Sequence, residues 1–160
     1  MKYSKFKTLK LAVNFQKLDC LQNLNTLVVA EGCTEAMPFF MNNEVVIDMD
    51  CVERKLAISN RRLKLKSMDS AFVNSINEIV LVEFRFNYVN MKNLDKSSLF
   101  GKVSGSTAAL TGYGNIHNKY FFIFDSSLKN QAIRRFRDMN PSMPQNYIAT
   151  DLNDLKATYF

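Results

Sequence analysis

Two neighbouring runs of apolar residues give this chain its clearest pattern. The first covers residues 63–73, where Leu63, Leu65, Ala71 and Val73 share a face with Asp69. The second covers residues 79–88. Its faces are Ile79, Leu81, Glu83, Arg85 and Val80, Val82, Phe84, Phe86. A period of two predicts strands. Between them, Asn74-Ser75-Ile76-Asn77-Glu78 is turn-like, so the pair predicts an antiparallel hairpin. The second strand is apolar on both faces at its start, as in a central strand covered on both sides.

The remaining elements follow from spacing and punctuation. Leu18, Leu21, Leu24, Leu27 and Val28 recur at helical intervals and predict a helix over 18–30, with Gly32 at its end. Pro38 begins a break before Phe39, Phe40 and Met41. Val45-Val46-Ile47 fits either a strand or a helix. Residues 55–58 read as a short strand, and Ser59-Asn60-Arg61-Arg62 as a turn. Residues 94–110 read as a helix with Leu99, Val103, Ser106 and Leu110 on one stripe. Gly101 and Gly105 lie roughly opposite, where two glycines suit close approach of another backbone, within the fold or across a homodimer. Residues 111–115 form a loop and 119–124 an aromatic strand. A helix capped by Asp125, Ser126 or Ser127 carries Leu128, Ala132, Phe136 and Met139, and Pro141 and Pro144 end it. Leu152, Leu155, Tyr159 and Phe160 dock the tail. The expected fold is one α+β/α/β domain over residues 1–160, with a mixed central sheet of about four core strands flanked by helices.

Composition adds bounds. The chain has 160 residues, 47% hydrophobic and 22% charged, ordinary for a globular domain. No run approaches a membrane span, and no signal-peptide core is visible. Cys20, Cys33 and Cys51 show no CxxC spacing and read as reduced, buried thiols of a cytoplasmic protein. A nucleophilic hydrolase has no support: there is no GxSxG elbow, and His117, the single histidine, reads as a loop or strand-edge residue. The net charge of +6 allows contact with nucleic acid. The basic residues cluster at Arg61, Arg62, Lys64 and Lys66 and at Lys129, Arg134, Arg135 and Arg137. Each cluster is a candidate phosphate-binding face or an ordinary solvated one.

The candidate chemistry lies in the hairpin. If Val73 faces Ile79, the constant index sum of an antiparallel pair puts Asp69 opposite Glu83. Directly opposed like charges are unfavourable unless a cation or proton lies between them. Arg85 shares that face. An acid on one strand followed by an acidic-x-basic triplet on the next resembles the PD-(D/E)XK nuclease-like superfamily. The order helix, three strands, helix, strand, helix resembles its αβββαβ core. The resemblance implies that Asp69, Glu83 and the Phe84 carbonyl hold Mg²⁺ or Mn²⁺ for phosphodiester hydrolysis. Glu31 or Glu35 would stand as an added acid from an early helix. Lys102, a basic residue on the helix after the third strand, is a secondary catalytic candidate. Arg85 stands where the family has lysine.

That departure divides the expected functions. A guanidinium does not deprotonate, so Arg85 either clamps a phosphate or pairs with the acids in place of a metal. With the lysine absent from its usual position, the sequence favours a non-catalytic or degenerate nuclease-like protein. Such a protein would bind a protein or nucleic-acid partner, using surface aromatics such as Tyr3, Tyr113 and Tyr120 or the glycine face. The alternative is a Mg²⁺-dependent endonuclease working through Asp69 and Glu83.

Overall fold

The computed structural model describes residues 2–35, 37, 39–40 and 44–160. The break expected at Pro38 and the apolar Met41 lie outside these. The described helices are α1 (Lys5–Asn14), α2 (Leu24–Ala30), α3 (Met49–Ser59), α4 (Lys96–Leu110), α5 (Lys129–Asp138) and α6 (Leu152–Tyr159). The strands are β1 (Leu21–Asn23), β2 (Val45–Asp48), β3 (Ser70–Val73), β4 (Glu78–Arg85), β5 (Asn115–Phe124) and β6 (Tyr147–Thr150). They form one six-stranded sheet in chain order. β1 to β4 pair antiparallel, whereas β4–β5 and β5–β6 are parallel. The architecture is therefore a mixed α/β sheet flanked by helices, with two strands more than the four expected.

Strand period two splits the core into two layers. Ala71, Val73, Ile79, Leu81, Phe122 and Phe124 pack under Leu11 of α1, Val52 of α3, Leu99 and Val103 of α4, and Phe136 of α5. Phe72, Val80, Val82, Phe84 and Ile123 pack under α2 and α6, with Leu24, Leu27, Leu155 and Tyr159. β4 is interior between β3 and β5, as its two apolar faces require.

Several elements differ from the sequence expectation. The helix over 18–30 is shortened, because the Asn23 side chain accepts from the N–H groups of Asn25 and Thr26 and starts α2 there. Residues 21–23 instead pair with β2, which resolves Val45-Val46-Ile47 as a strand. Residues 55–58 are helical, not a strand. Asp48 caps α3 through the Cys51 N–H at 2.8 Å, and Met49, Val52 and Ala57 bury one helical face. Only residues 70–73 of the expected 63–73 strand join the sheet. The tail adds β6 and α6 to the sheet and its second face.

Cys20 and Cys51 are joined by a disulfide linking the turn before β1 to the first turn of α3. This corrects the reading of three reduced thiols; only Cys33 is free, and it is buried. The cysteine argument for a cytoplasmic location falls with it. Among the described residues no helix is long and apolar enough to cross a membrane.

Gly101 and Gly105 face the chain at residues 65–66, which is the close approach within the fold. A Cβ at Gly105 would lie 1.9 Å from the Lys66 carbonyl oxygen, and one at Gly101 3.2 Å from Lys66 Cδ. The surface aromatics are also corrected in part. Tyr3 is half-buried, donating to Val45 O at 2.9 Å, and Tyr120 packs on Tyr147. Tyr113 remains exposed but covers Phe15. His117 is buried within β5, where its Nδ1 accepts from the Lys119 N–H at 3.0 Å.

Candidate active site

The hairpin register is the predicted one. Val73 faces Ile79, Phe72 faces Val80, Ala71 faces Leu81 and Ser70 faces Val82. One step further along the same sum, Asp69 meets Glu83. Both side chains lie on the α4 side of the sheet. Glu83 is 1% exposed and Asp69 is buried. The sheet ladder ends just before Asp69, and its carboxylate takes over: Oδ2 accepts from the Phe84 N–H at 2.6 Å. The side chain thereby satisfies a buried strand donor and is fixed in direction.

Helix α4 supplies the cation between the two acids. Lys102 Nζ lies 2.7 Å from Glu83 Oε1 and 3.2 Å from Asp69 Oδ1. Arg85 Nε lies 2.9 Å from Glu83 Oε1. That contact is an ion pair only, since the N–H is misdirected and makes no hydrogen bond among the described residues. The Arg85 guanidinium stands 5.8 Å from the Tyr88 ring centre, within cation–π range. Glu83 Oε2 is buried and has no hydrogen-bond partner among the described residues. The sequence candidates Asp69, Glu83, Arg85 and Lys102 therefore meet at one point.

They line a cleft of about 130 Å³, with Glu31, Phe86, Asn87 and Tyr88 on its walls. Hollows along β6 are larger, about 290 and 320 Å³, but more open and without a comparable cluster of charge. Glu31 closes the C-terminal end of α2. Of the two early acids named from sequence, it alone reaches the cleft. Glu35 accepts instead from Ser126 Oγ at 3.2 Å.

Burial dominates the electrostatics. It raises the Glu83 carboxyl to about 8, with the charge of Asp69 adding and those of Arg85 and Lys102 opposing. Burial also raises Asp69, opposed by Lys102 and the Phe84 N–H, and it raises Glu31, with Asp69 adding. For Lys102, burial pulls the ammonium down, but Glu83 and Asp69 outweigh it and the pKa rises. The Glu83 and Lys102 directions pull against each other, because a protonated Glu83 holds Lys102 less firmly. Asp69 still keeps the Lys102 ammonium charged, and a neutral Glu83 accepts from it through Oε1. Lys102 is therefore a cation at neutral pH, and the Asp69–Glu83 pair is harder to ionise fully than ordinary carboxyls.

The donors suit a hard divalent ion. Two opposed carboxylates, one with a buried unpartnered oxygen, match the one or two protein carboxylates typical of Mg²⁺ sites. Among the described residues no group of three or more His, Cys, Asp or Glu gathers as a metal cage. Any further ligands would be water and substrate oxygen.

The basic clusters are partly neutralised within the fold. Arg62 pairs with Glu53, Lys64 with Asp50 at 3.1 Å, and Lys129 with Asp151 and Asp154 at 3.2 and 2.5 Å. Arg137 pairs with its neighbour Asp138. Arg61, Lys66 and Arg134 are exposed, whereas Arg135 is half-buried. The two clusters sit on different supports: residues 61–66 run beside α3 and α4, and α5 packs on β5 and β6.

No family model matches this chain, and no curated protein or solved structure does.

Proposed function

We propose that this protein is a divalent-metal-dependent phosphodiesterase of the PD-(D/E)XK nuclease-like kind, cutting nucleic acid at the Asp69–Glu83 cleft. The observation that carries the reading is the position of Lys102. The triplet lacks lysine, but α4 presents an amine between the same two acids, at 2.7 and 3.2 Å. The three-residue motif alone favoured a non-catalytic scaffold, because Arg85 cannot serve as that amine. The helix supplies what the strand omits.

Asp69 and Glu83 would hold Mg²⁺ or Mn²⁺, with the Phe84 carbonyl as a third donor. A bound ion supplies Lewis-acid polarisation of the phosphate and a water of lowered pKa. The side chains divide the remaining work. Asp69, anchored through Oδ2 by the Phe84 N–H, keeps Oδ1 against Lys102, where a bound ion would compete with the amine for it. Lys102, held protonated, orients the scissile phosphate and stabilises charge that develops on it. Arg85 can grip a non-bridging oxygen while braced on Tyr88. Glu31, on the cleft wall, feels the charge of Lys102.

The competing reading is a closed scaffold in which Lys102 and Arg85 permanently replace the metal. Their pairing with both acids favours it; the unpartnered Glu83 Oε2 counts against it. The deciding experiment is cleavage of single- and double-stranded DNA and RNA with Mg²⁺ or Mn²⁺, alongside calorimetric metal titration. The proposal expects metal binding and cleavage, both lost in Glu83→Gln. Absence of both in the unmodified protein establishes the scaffold.

A further inference from the structure

We propose that residues 58–66 form an apolar wedge that grips single-stranded nucleic acid beside the cleft. This deepens the phosphodiesterase reading and rests on it for its purpose. Three large aliphatic side chains project from this basic segment. Leu63 is 89% exposed, Ile58 73% and Leu65 46%. Single exposed leucines are ordinary surface features. Three within eight residues, interleaved with arginine and lysine, are a local concentration of exposed apolar surface that suits a ligand.

The segment is braced from beneath. Glu53 is buried and receives Arg62 at 2.5 and 3.0 Å and the Leu65 N–H at 2.7 Å. Asp50 pairs with Lys64 and accepts from the Ser67 hydroxyl. The Lys66 carbonyl seats against Gly105, and the Met68 N–H donates to Ser106 Oγ at 2.8 Å. Side chains thus replace the strand ladder expected here, and they turn Leu63 and Leu65 outward. A wedge held this way loses little conformational freedom on binding.

Charge selects the occupant. Glu53 and Asp50 occupy Arg62 and Lys64. Arg61 and Lys66, which bracket Leu63 and Leu65 in the chain, are exposed and have no ion pair among the described residues. Aliphatic tips between free cations match bases between phosphates. Driving a leucine into a duplex requires unstacking a base step. A single strand offers its bases already free, so it is the favoured substrate class. Lys66 precedes Asp69 by three residues, at most about 10 Å of chain. A strand held on the wedge would therefore pass close to the cleft.

The test measures binding without metal, by fluorescence anisotropy of a labelled oligonucleotide in EDTA at low salt. The full chain is expected to bind the single strand more tightly than its paired duplex. Leu63→Ala should weaken single-strand binding about tenfold, through loss of the leucine's apolar contact, with no change in melting temperature. Arg61→Ala combined with Lys66→Ala should lower the slope of log affinity against log salt by roughly one to two. Wild-type affinity in Leu63→Ala, tighter duplex binding, no binding at all, or binding to phosphatidylserine vesicles in preference to oligonucleotide would each overturn the wedge. Cleavage is scored separately with Mg²⁺. Cleavage by the unmodified protein, with binding indifferent to Leu63, leaves the phosphodiesterase and removes the wedge. Leu63-dependent binding without cleavage does the reverse.

Discussion

Lys102 Nζ lies 2.7 Å from Glu83 Oε1, and this contact joins the middle of α4 to the end of the central strand. Nineteen positions of sequence separate the two residues, and the β4–α4 crossover brings them together. Glu83 sits where β4 leaves the apolar core, so its charge needs a partner. Lys102 reaches it along the edge of the stripe that Leu99 and Val103 bury.

Removing that cation should separate catalysis from stability. Lys102→Met keeps the length of the side chain but leaves two buried acids facing each other. We expect a loss of about 3 kcal/mol in urea unfolding and no cleavage. Mg²⁺ should raise the melting temperature of this variant more than that of the unmodified protein, because the ion no longer competes with the amine. An equal Mg²⁺ response in both proteins would mean that the ion does not bind at these carboxylates.

Glu83 should also set part of the pH dependence. Its folded pKa, about 8, lies above its ordinary value of 4.5. Between these values the unfolded chain is ionised while the folded carboxyl keeps its proton. The group therefore favours the folded state below about 4.5, and that contribution is lost as pH rises through about 8. Asp69 and Glu31 act in the same direction. Glu83→Gln has no such proton to lose. Its stability relative to the unmodified protein should improve from pH 5 to pH 8, on the order of a few kcal/mol. Parallel melting curves across that range would contradict the assignment.

The two glycines of α4 make opposite predictions. Alanine at either position gains up to ~1 kcal/mol of helix propensity. At Gly105 the new Cβ would meet the Lys66 carbonyl oxygen at 1.9 Å, a backbone atom fixed by its neighbours. Gly105→Ala should cost about 3 kcal/mol. At Gly101 the Cβ would meet only the mobile Lys66 Cδ at 3.2 Å. Gly101→Ala should be neutral or slightly stabilising. Chemical denaturation of both variants checks the contrast; similar losses in the two would show that residues 65–66 do not press on Gly105.

The Cys20–Cys51 bridge closes a long loop, with a sequence separation of 31. Thiol titration of the denatured, unreduced protein should find one reactive cysteine, Cys33. After reduction, urea stability should fall by roughly 3–4 kcal/mol. Three reactive thiols before reduction would show that the bridge does not form in solution.

Much of the site was legible from the chain. The index sum across residues 74–78 fixed the partner of Asp69, because alternation pinned both strands to one face and a one-residue slip would have turned every core side chain outward. Arg85 followed from strand parity. Lys102 could be named from its place on the α4 stripe, but its reach to both acids could not. The expected 55–58 strand failed because the Asp48 cap and the Met49–Val52 face, upstream of the window, outweigh a short apolar run. The expected 63–69 strand failed for another reason: Glu53, Asp50 and Ser106 supply its hydrogen bonds and exclude a sheet partner.

By itself, then, the sequence determined what is periodic and local: an interior β4, its hairpin with β3, the helical stripe of α4, and two acids facing each other. The tertiary structure decided what depends on distant partners. It made the tail a sixth strand and covering helix, paired Cys20 with Cys51, and brought Glu31 rather than Glu35 to the cleft. It also turned Leu63 and Leu65 out of the core. The physical reason is common to all of these. Hydrophobic alternation records which face of an element is buried, whereas a contact between elements depends on how two buried faces dock, and no local period encodes that docking.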